Sequence, residues 1–116
     1  MKLSEHVRQR REALKEKDKK FSLRQVAERI GMEPSYLSKL ERGVPAPLSE
    51  VKLCALAREL GEDSDFILAM GGKVAQDVQE IIRKRPRLFA QLIRELRNMP
   101  DDAVLRIVRE VRDGEW

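Results

Sequence analysis

Between Phe21 and Gly43 the chain reads FSLRQVAERIGMEPSYLSKLERG, a stretch whose punctuation leaves the backbone few options. Leu23, Val26, Ala27 and Ile30 recur at i, i+3, i+4 and i+7, one stripe of an amphipathic helix. Ser22 precedes the stripe as an N-cap. Gly31 stands where a left-handed residue ends a helix, and Pro34 opens the next one at a position that needs no amide proton. Gly31-Met32-Glu33 is therefore a tight turn between helices at about 22–30 and 34–42. In the second helix Leu37 and Leu40 point to the first, while Ser35, Ser38, Lys39 and Arg42 share the opposite, donor-rich face.

A short helix braced by another, with one polar face free, is the geometry that enters a DNA major groove. The run SLRQVAERIGMEPSYLSKLERG resembles the helix-turn-helix of Xre/Cro-type, lambda-repressor-like transcription regulators. The likeness lies in the Val26-Ala27 pair, the central Gly31, the Ser35-Tyr36-Leu37-Ser38 core and the Glu41-Arg42-Gly43 ending. It continues through Ala57-Arg58-Glu59-Leu60-Gly61 and Asp65-Phe66-Ile67-Leu68, which look like the fourth and fifth helices of that domain. The resemblance implies an all-α chain: a five-helix lambda-repressor-like DNA-binding domain over residues 1–70, then a short helical C-terminal region over 73–116. It further implies a sequence-specific, double-stranded-DNA-binding transcriptional regulator, a repressor working in the bacterial cytoplasm and nucleoid.

Composition agrees with this class. The chain has 116 residues, 38% charged and only 4% aromatic, which suits aliphatic helix packing better than a sheet. No apolar run exceeds five residues, so neither a membrane span nor a secretory segment is expected. The lone Cys54 excludes an internal disulfide and is expected as a small buried thiol. Charge is unevenly spread: residues 1–42 hold 12 Lys/Arg against 7 Asp/Glu, net +5, residues 43–70 hold 2 against 5, net −3, and residues 71–116 hold 10 against 8, net +2. A phosphate backbone would bind the first of these segments, with salt-dependent affinity.

Further boundaries follow from turn and cap residues. Leu3, Val7 and Leu14 mark a first helix at about 3–16, and Lys15 to Lys20 read as a mobile polar connection. Pro45 and Pro47 forbid a helix between Gly43 and Ser49. Ser49 caps a fourth helix at about 50–60, with Val51, Leu53, Cys54, Leu56, Ala57 and Leu60 on its buried side, and Asp63 caps a fifth ending at Met70. Gly71-Gly72 is the hinge beyond which a separate unit begins. That unit reads as three helices, marked by Val74, Val78, Ile81 and Ile82, then by Leu88, Phe89, Leu92, Ile93 and Leu96 after Pro86, then by Val104, Ile107, Val108 and Val111 after Pro100. A segment this short cannot bury such stripes alone. One recognition helix also reads too few bases to find a site, whereas a twofold dimer spans an inverted repeat. Leu88, Phe89, Leu92, Ile93, Leu96, Val104, Ile107, Val108 and Val111 are accordingly the expected dimerisation residues; folding back on the fifth helix is the competing arrangement.

Among site residues, Ser35, Ser38 and Lys39 are base-reading candidates, Lys39 as a guanine donor. Tyr36 joins them as a group that contacts a thymine methyl or a phosphate, or else packs on the first reading helix. Glu33 either accepts from a cytosine amine or acts as an N-cap. Pro34 stands where relatives of the phage-repressor kind carry a base-reading glutamine, and it has no side-chain donor. Ser22, Arg24, Gln25, Arg42 and Lys20 are the phosphate-binding candidates around the start of the first reading helix and the end of the second. The resemblance aligns Arg11 and Glu41 with a structural ion pair joining the first helix to the third.

Nothing in the pattern suggests an enzyme, a cofactor or a metal. His6 is expected as a solvated surface residue, and no phosphate-binding glycine loop follows a strand. The partners implied are double-stranded DNA and a second copy of the chain. The alternative is an antitoxin-like interaction module whose C-terminal helices grip a partner protein and whose DNA binding is autoregulatory.

Overall fold

The computed structural model describes residues 2–116, an all-helical chain with no strand among the described residues. It divides into two units, Met1–Ala75 and Gln76–Trp116. The first holds α1 (Leu3–Lys17), a 3-10 turn (Lys19–Phe21), α2 (Leu23–Arg29), α3 (Pro34–Glu41), α4 (Glu50–Leu60) and α5 (Ser64–Met70). The second holds α6 (Gln76–Lys84), α7 (Pro86–Leu96) and α8 (Asp101–Asp113).

Local chemistry sets most of these limits. The Ser22, Ser49 and Asp63 side chains accept from the amides of Gln25, Lys52 and Phe66, each satisfying one donor that the first helical turn leaves unpaired. Gly31 ends α2 with φ +68°, and the Met32 amide reaches back to the Ala27 carbonyl at 2.9 Å. This left-handed six-to-one closure needs a residue without Cβ. The segment Lys15 to Lys20 is ordered rather than loose: α1 runs on to Lys17, and the Asp18 side chain caps the 3-10 turn by accepting from the Lys20 amide. An aspartate placed before a turn supplies its own acceptor, which charge patterning alone does not reveal.

The core of the first unit is aliphatic. Val7, Val26, Ala27, Ile30, Met32, Leu37, Leu40, Leu56 and Leu60 form one buried cluster, drawn from α1 to α4. Leu53, Ala57, Ile67 and Leu68 form a second between α4 and α5. Full burial of each Leu, Ile or Val contributes about 1.5–3 kcal/mol, so these clusters supply the main driving force. Two residues expected on the buried side of α4 lie elsewhere. Val51 is 73% exposed, because it falls some 200° around the helix from Leu53 at about 100° per residue; Cys54, on the flank of the stripe, is half-buried. The first unit also extends past the Gly71-Gly72 pair. Ala75 packs against the second cluster, and the Lys73 amide donates to the Leu68 carbonyl at 2.8 Å. Val74 precedes α6 instead of joining its stripe.

The second unit is different in kind. None of α6, α7 and α8 contains a buried residue. Ile82, Phe89, Leu96, Val104 and Ile107 are half-buried, whereas Val78, Ile81, Leu88, Leu92, Ile93, Val108 and Val111 are exposed.

Candidate nucleic-acid interface

The candidate surface is built by burying one side of α3 and bracing both of its ends. Leu37, Leu40 and Glu41 are buried, which turns Ser35 and Lys39 outward, with Ser38 half-buried beside them and Arg42 exposed at the C-cap. No hydrogen bond or ion pair engages the side chains of Ser35, Ser38 or Lys39 among the described residues. Arg42 directs its Nε to the Ser38 carbonyl at 3.3 Å, following the end of the helix.

Four contacts hold the α2–α3 pair in place. Arg11 and Glu41 form a buried two-point pair, Nε to Oε2 at 2.6 Å and Nη2 to Oε1 at 2.8 Å. Arg11 Nη1 also donates to the Phe21 carbonyl at 3.2 Å, so one guanidinium joins α1, α3 and the turn before α2. Its proton is held more tightly than in a free arginine, first by the Glu41 hydrogen bonds and against the opposing effect of burial. From α4, Lys52 Nζ donates to the carbonyls of Ile30 and Gly31 at 3.1 and 2.6 Å. That places a cation on the C-terminal carbonyls of α2, where the helix dipole favours it. Arg29 pairs with Glu59 across α2 and α4 and lies over the Phe21 ring, 5.4 Å from its centroid. Finally, the Tyr36 hydroxyl donates to the Pro47 carbonyl and ties α3 to the segment before α4.

These contacts alter several readings made from sequence. The Tyr36 hydroxyl proton is engaged within the chain and the ring packs on the main core, so it has no free donor for a base or phosphate. Glu33 occupies the N-cap position of α3 by backbone geometry, but its side chain accepts no capping bond and stands exposed. Ser22 and Gln25 satisfy each other: Ser22 Oγ donates to Gln25 Oε1 at 3.0 Å and accepts from the Gln25 amide at 3.3 Å. That reciprocal cap uses the hydroxyl proton assigned to phosphate. Arg24 and Lys20 are exposed. His6 is not a solvated side chain; its Nε2 lies 3.1 Å from Glu62 Oε1 and its ring meets Phe66 edge-on at 5.2 Å. Arg10 joins the same junction by donating to the Leu60 carbonyl at 3.0 Å.

The positive surface is also broader than the α2 and α3 residues alone. A groove of about 520 Å³ between the start of α1 and the end of α3 is bordered by Lys2, Arg8, Arg42 and Lys73, against Glu5 and the Arg11-bound Glu41. Arg42 and Lys73 lie far in sequence from Lys2 and Arg8, so only the packing of α1, α3 and the segment after α5 gathers the four. Lys52 and the Tyr36–Pro47 contact had no sequence signal either, being pairings over 21 and 11 residues that carry no spacing rule.

A family description, helix-turn-helix domain, matches residues 2–65, more than half of the 116-residue chain. The chain belongs to the helix-turn-helix domain family. The matched region ends inside α5 and contains α2, the turn and α3. Such a domain points to a DNA-binding regulator, and its family is typically non-enzymatic. Neither the curated proteins nor the solved structures compared with the chain give a match. No helix among the described residues is long and apolar enough to cross a membrane.

Proposed function

We propose that this helix-turn-helix chain is an Xre/Cro-like, sequence-specific regulator that represses transcription as a homodimer on an inverted-repeat operator. The observation that carries the reading is the outward face of α3. Ser35, Ser38 and Lys39 have no hydrogen-bond or ion-pair partner among the described residues, on a helix whose inner side is fixed by Leu37, Leu40 and the Arg11–Glu41 pair. Lys39 supplies a donor for guanine, and the serines exchange donor and acceptor roles as the base edge requires. Tyr36 serves as a brace and Glu33 as an outlying polar contact. Arg24, Arg42 and Lys20, with the cationic groove, position phosphates; they set register and affinity rather than base preference.

The lambda-repressor-like layout assigns residues 1–70 to DNA binding and 73–116 to dimerisation. Support for the second assignment is the set of exposed apolar residues on α7 and α8, Leu88, Leu92, Ile93, Val108 and Val111. The same surface favours a second reading, an antitoxin-like grip on another protein with autoregulatory DNA binding. Copurification separates the two: a homodimer supports the repressor, and a stoichiometric foreign chain lost on deletion of 73–116 supports the antitoxin. Selection of bound sequences from a random duplex pool tests the main reading. It returns a palindromic site for the wild type and no consensus for Ser35→Ala/Ser38→Ala/Lys39→Ala. An unchanged consensus from that variant would show that α3 is not the reader.

A further inference from the structure

The second unit carries a concentration of charge that none of the roles above uses. Arg83, Lys84, Arg85 and Arg87 occupy four of the five positions around Pro86, where α6 gives way to α7. All four are exposed. The corner that presents them is ordered by its backbone: the Arg85 amide donates to the Ile82 carbonyl at 3.1 Å, and the Phe89 amide to the Arg85 carbonyl at 3.0 Å. Pro86 takes the first position of α7, so the helix restarts immediately after the break. Arg83 donates to Gln79 Oε1 at 3.2 Å, a neutral partner. Lys84, Arg85 and Arg87 have no hydrogen-bond or ion-pair partner in their side chains among the described residues. Four like charges on one corner repel each other, and no ion pair engages any of them among the described residues.

We infer that this corner is a second phosphate-binding site, which grips the backbone of duplex DNA independently of α3. The inference rests on the DNA-binding reading and adds to it a contact in the unit otherwise assigned to self-association. Three of the four cations are arginines, whose planar forks bind phosphate oxygens two at a time. An anionic bilayer offers phosphates as well, but the remainder of the unit argues against it. Surface-bound helices carry Lys and Arg along the whole polar face. Here that face is mixed, with exposed Glu95 on α7 and Asp101, Asp102, Glu110 and Asp113 on α8 interleaved with Arg94, Arg106 and Arg109, so a flat anionic surface would meet both signs of charge. A duplex needs to touch only the corner.

The salt dependence of binding provides the test, because each phosphate neutralised contributes about 0.9 to the slope of log K against log salt for B-DNA. Full-length protein is titrated with a mixed-sequence duplex of about 40 base pairs, four helical turns, so no operator need be known. The quadruple variant Arg83→Gln/Lys84→Gln/Arg85→Gln/Arg87→Gln lowers the slope by up to about 3.6. The pair Lys84→Gln/Arg87→Gln, a milder change if the quadruple variant folds poorly, lowers it by up to about 1.8. A charge-matched control, Arg94→Gln/Arg97→Gln/Arg106→Gln/Arg109→Gln, changes it by less than about 1. Equal changes in the corner and control variants would reduce the corner to a contributor to the overall field and overturn the contact. So would wild-type slopes in both corner variants, or binding of the wild type to phosphatidylserine vesicles that the corner variants lose while keeping the wild-type duplex slope. Failure of the wild type to bind any duplex would remove the DNA reading together with the corner; a normal duplex slope in the corner variants removes the corner alone.

Discussion

Replacing Arg11 with methionine keeps much of the aliphatic volume but strips the buried Glu41 carboxylate of both guanidinium hydrogen bonds, at 2.6 and 2.8 Å. The two side chains are 7% and 4% exposed, so water cannot take over the lost bonds. Two bonds to a charged group at about 1.5–3 kcal/mol each bracket the loss at about 3–6 kcal/mol, in line with about 3–5 kcal/mol for breaking a buried pair. At about 0.05–0.15 kcal/mol per residue, the Met1–Ala75 unit has roughly 4–11 kcal/mol in all. The substitution therefore removes a large part of its stability and lowers Tm by about 12–48 °C. The double variant Arg11→Met/Glu41→Leu removes both charges and returns to within about 1 kcal/mol of wild type. Urea unfolding followed by far-ultraviolet circular dichroism, run as a double-mutant cycle, measures the coupling. A single-variant cost below about 1 kcal/mol, or a double variant as unstable as the sum of the two singles, would refute the argument. The pH behaviour is also specified. Arg11 is raised above its ordinary value by the Glu41 hydrogen bonds, so its contribution is full below the unfolded value and is lost only as pH rises through the folded one. Both lie far above neutrality, and the Arg11 contribution stays flat from neutral through moderately alkaline pH.

Lys52→Met leaves the carbonyls of Ile30 and Gly31 without the ammonium that caps α2 and is expected to cost about 1–3 kcal/mol in the same unfolding assay; a change below a few tenths would show that water caps these groups equally well. On the proposed homodimer, Leu92→Asp/Ile93→Asp places two charges on the exposed face of α7 and is expected to shift self-association at least about tenfold towards monomer in analytical ultracentrifugation. An unchanged self-association would move the interface elsewhere.

The amino-acid order alone determined where helices start and stop. Ser22, Ser49, Asp63, Pro34 and Gly31 act on backbone groups only a few residues away, so their effect is written within a single turn. The stripe of Leu23, Val26, Ala27 and Ile30 was legible for the same reason, and with it the helix-turn-helix and the outward side of α3. Local pattern failed where two helices had to meet. Whether His6 is solvated depends on Glu62 and Phe66, over fifty residues away. Tertiary packing likewise decided which polar atoms remain free at the interface. It engaged Tyr36 with Pro47, recruited Lys52 to the turn and gathered Lys2, Arg8, Arg42 and Lys73 around one groove. These outcomes rest on contacts between segments whose separation in sequence carries no periodic signal, because burial and hydrogen-bond geometry are set by three-dimensional neighbours.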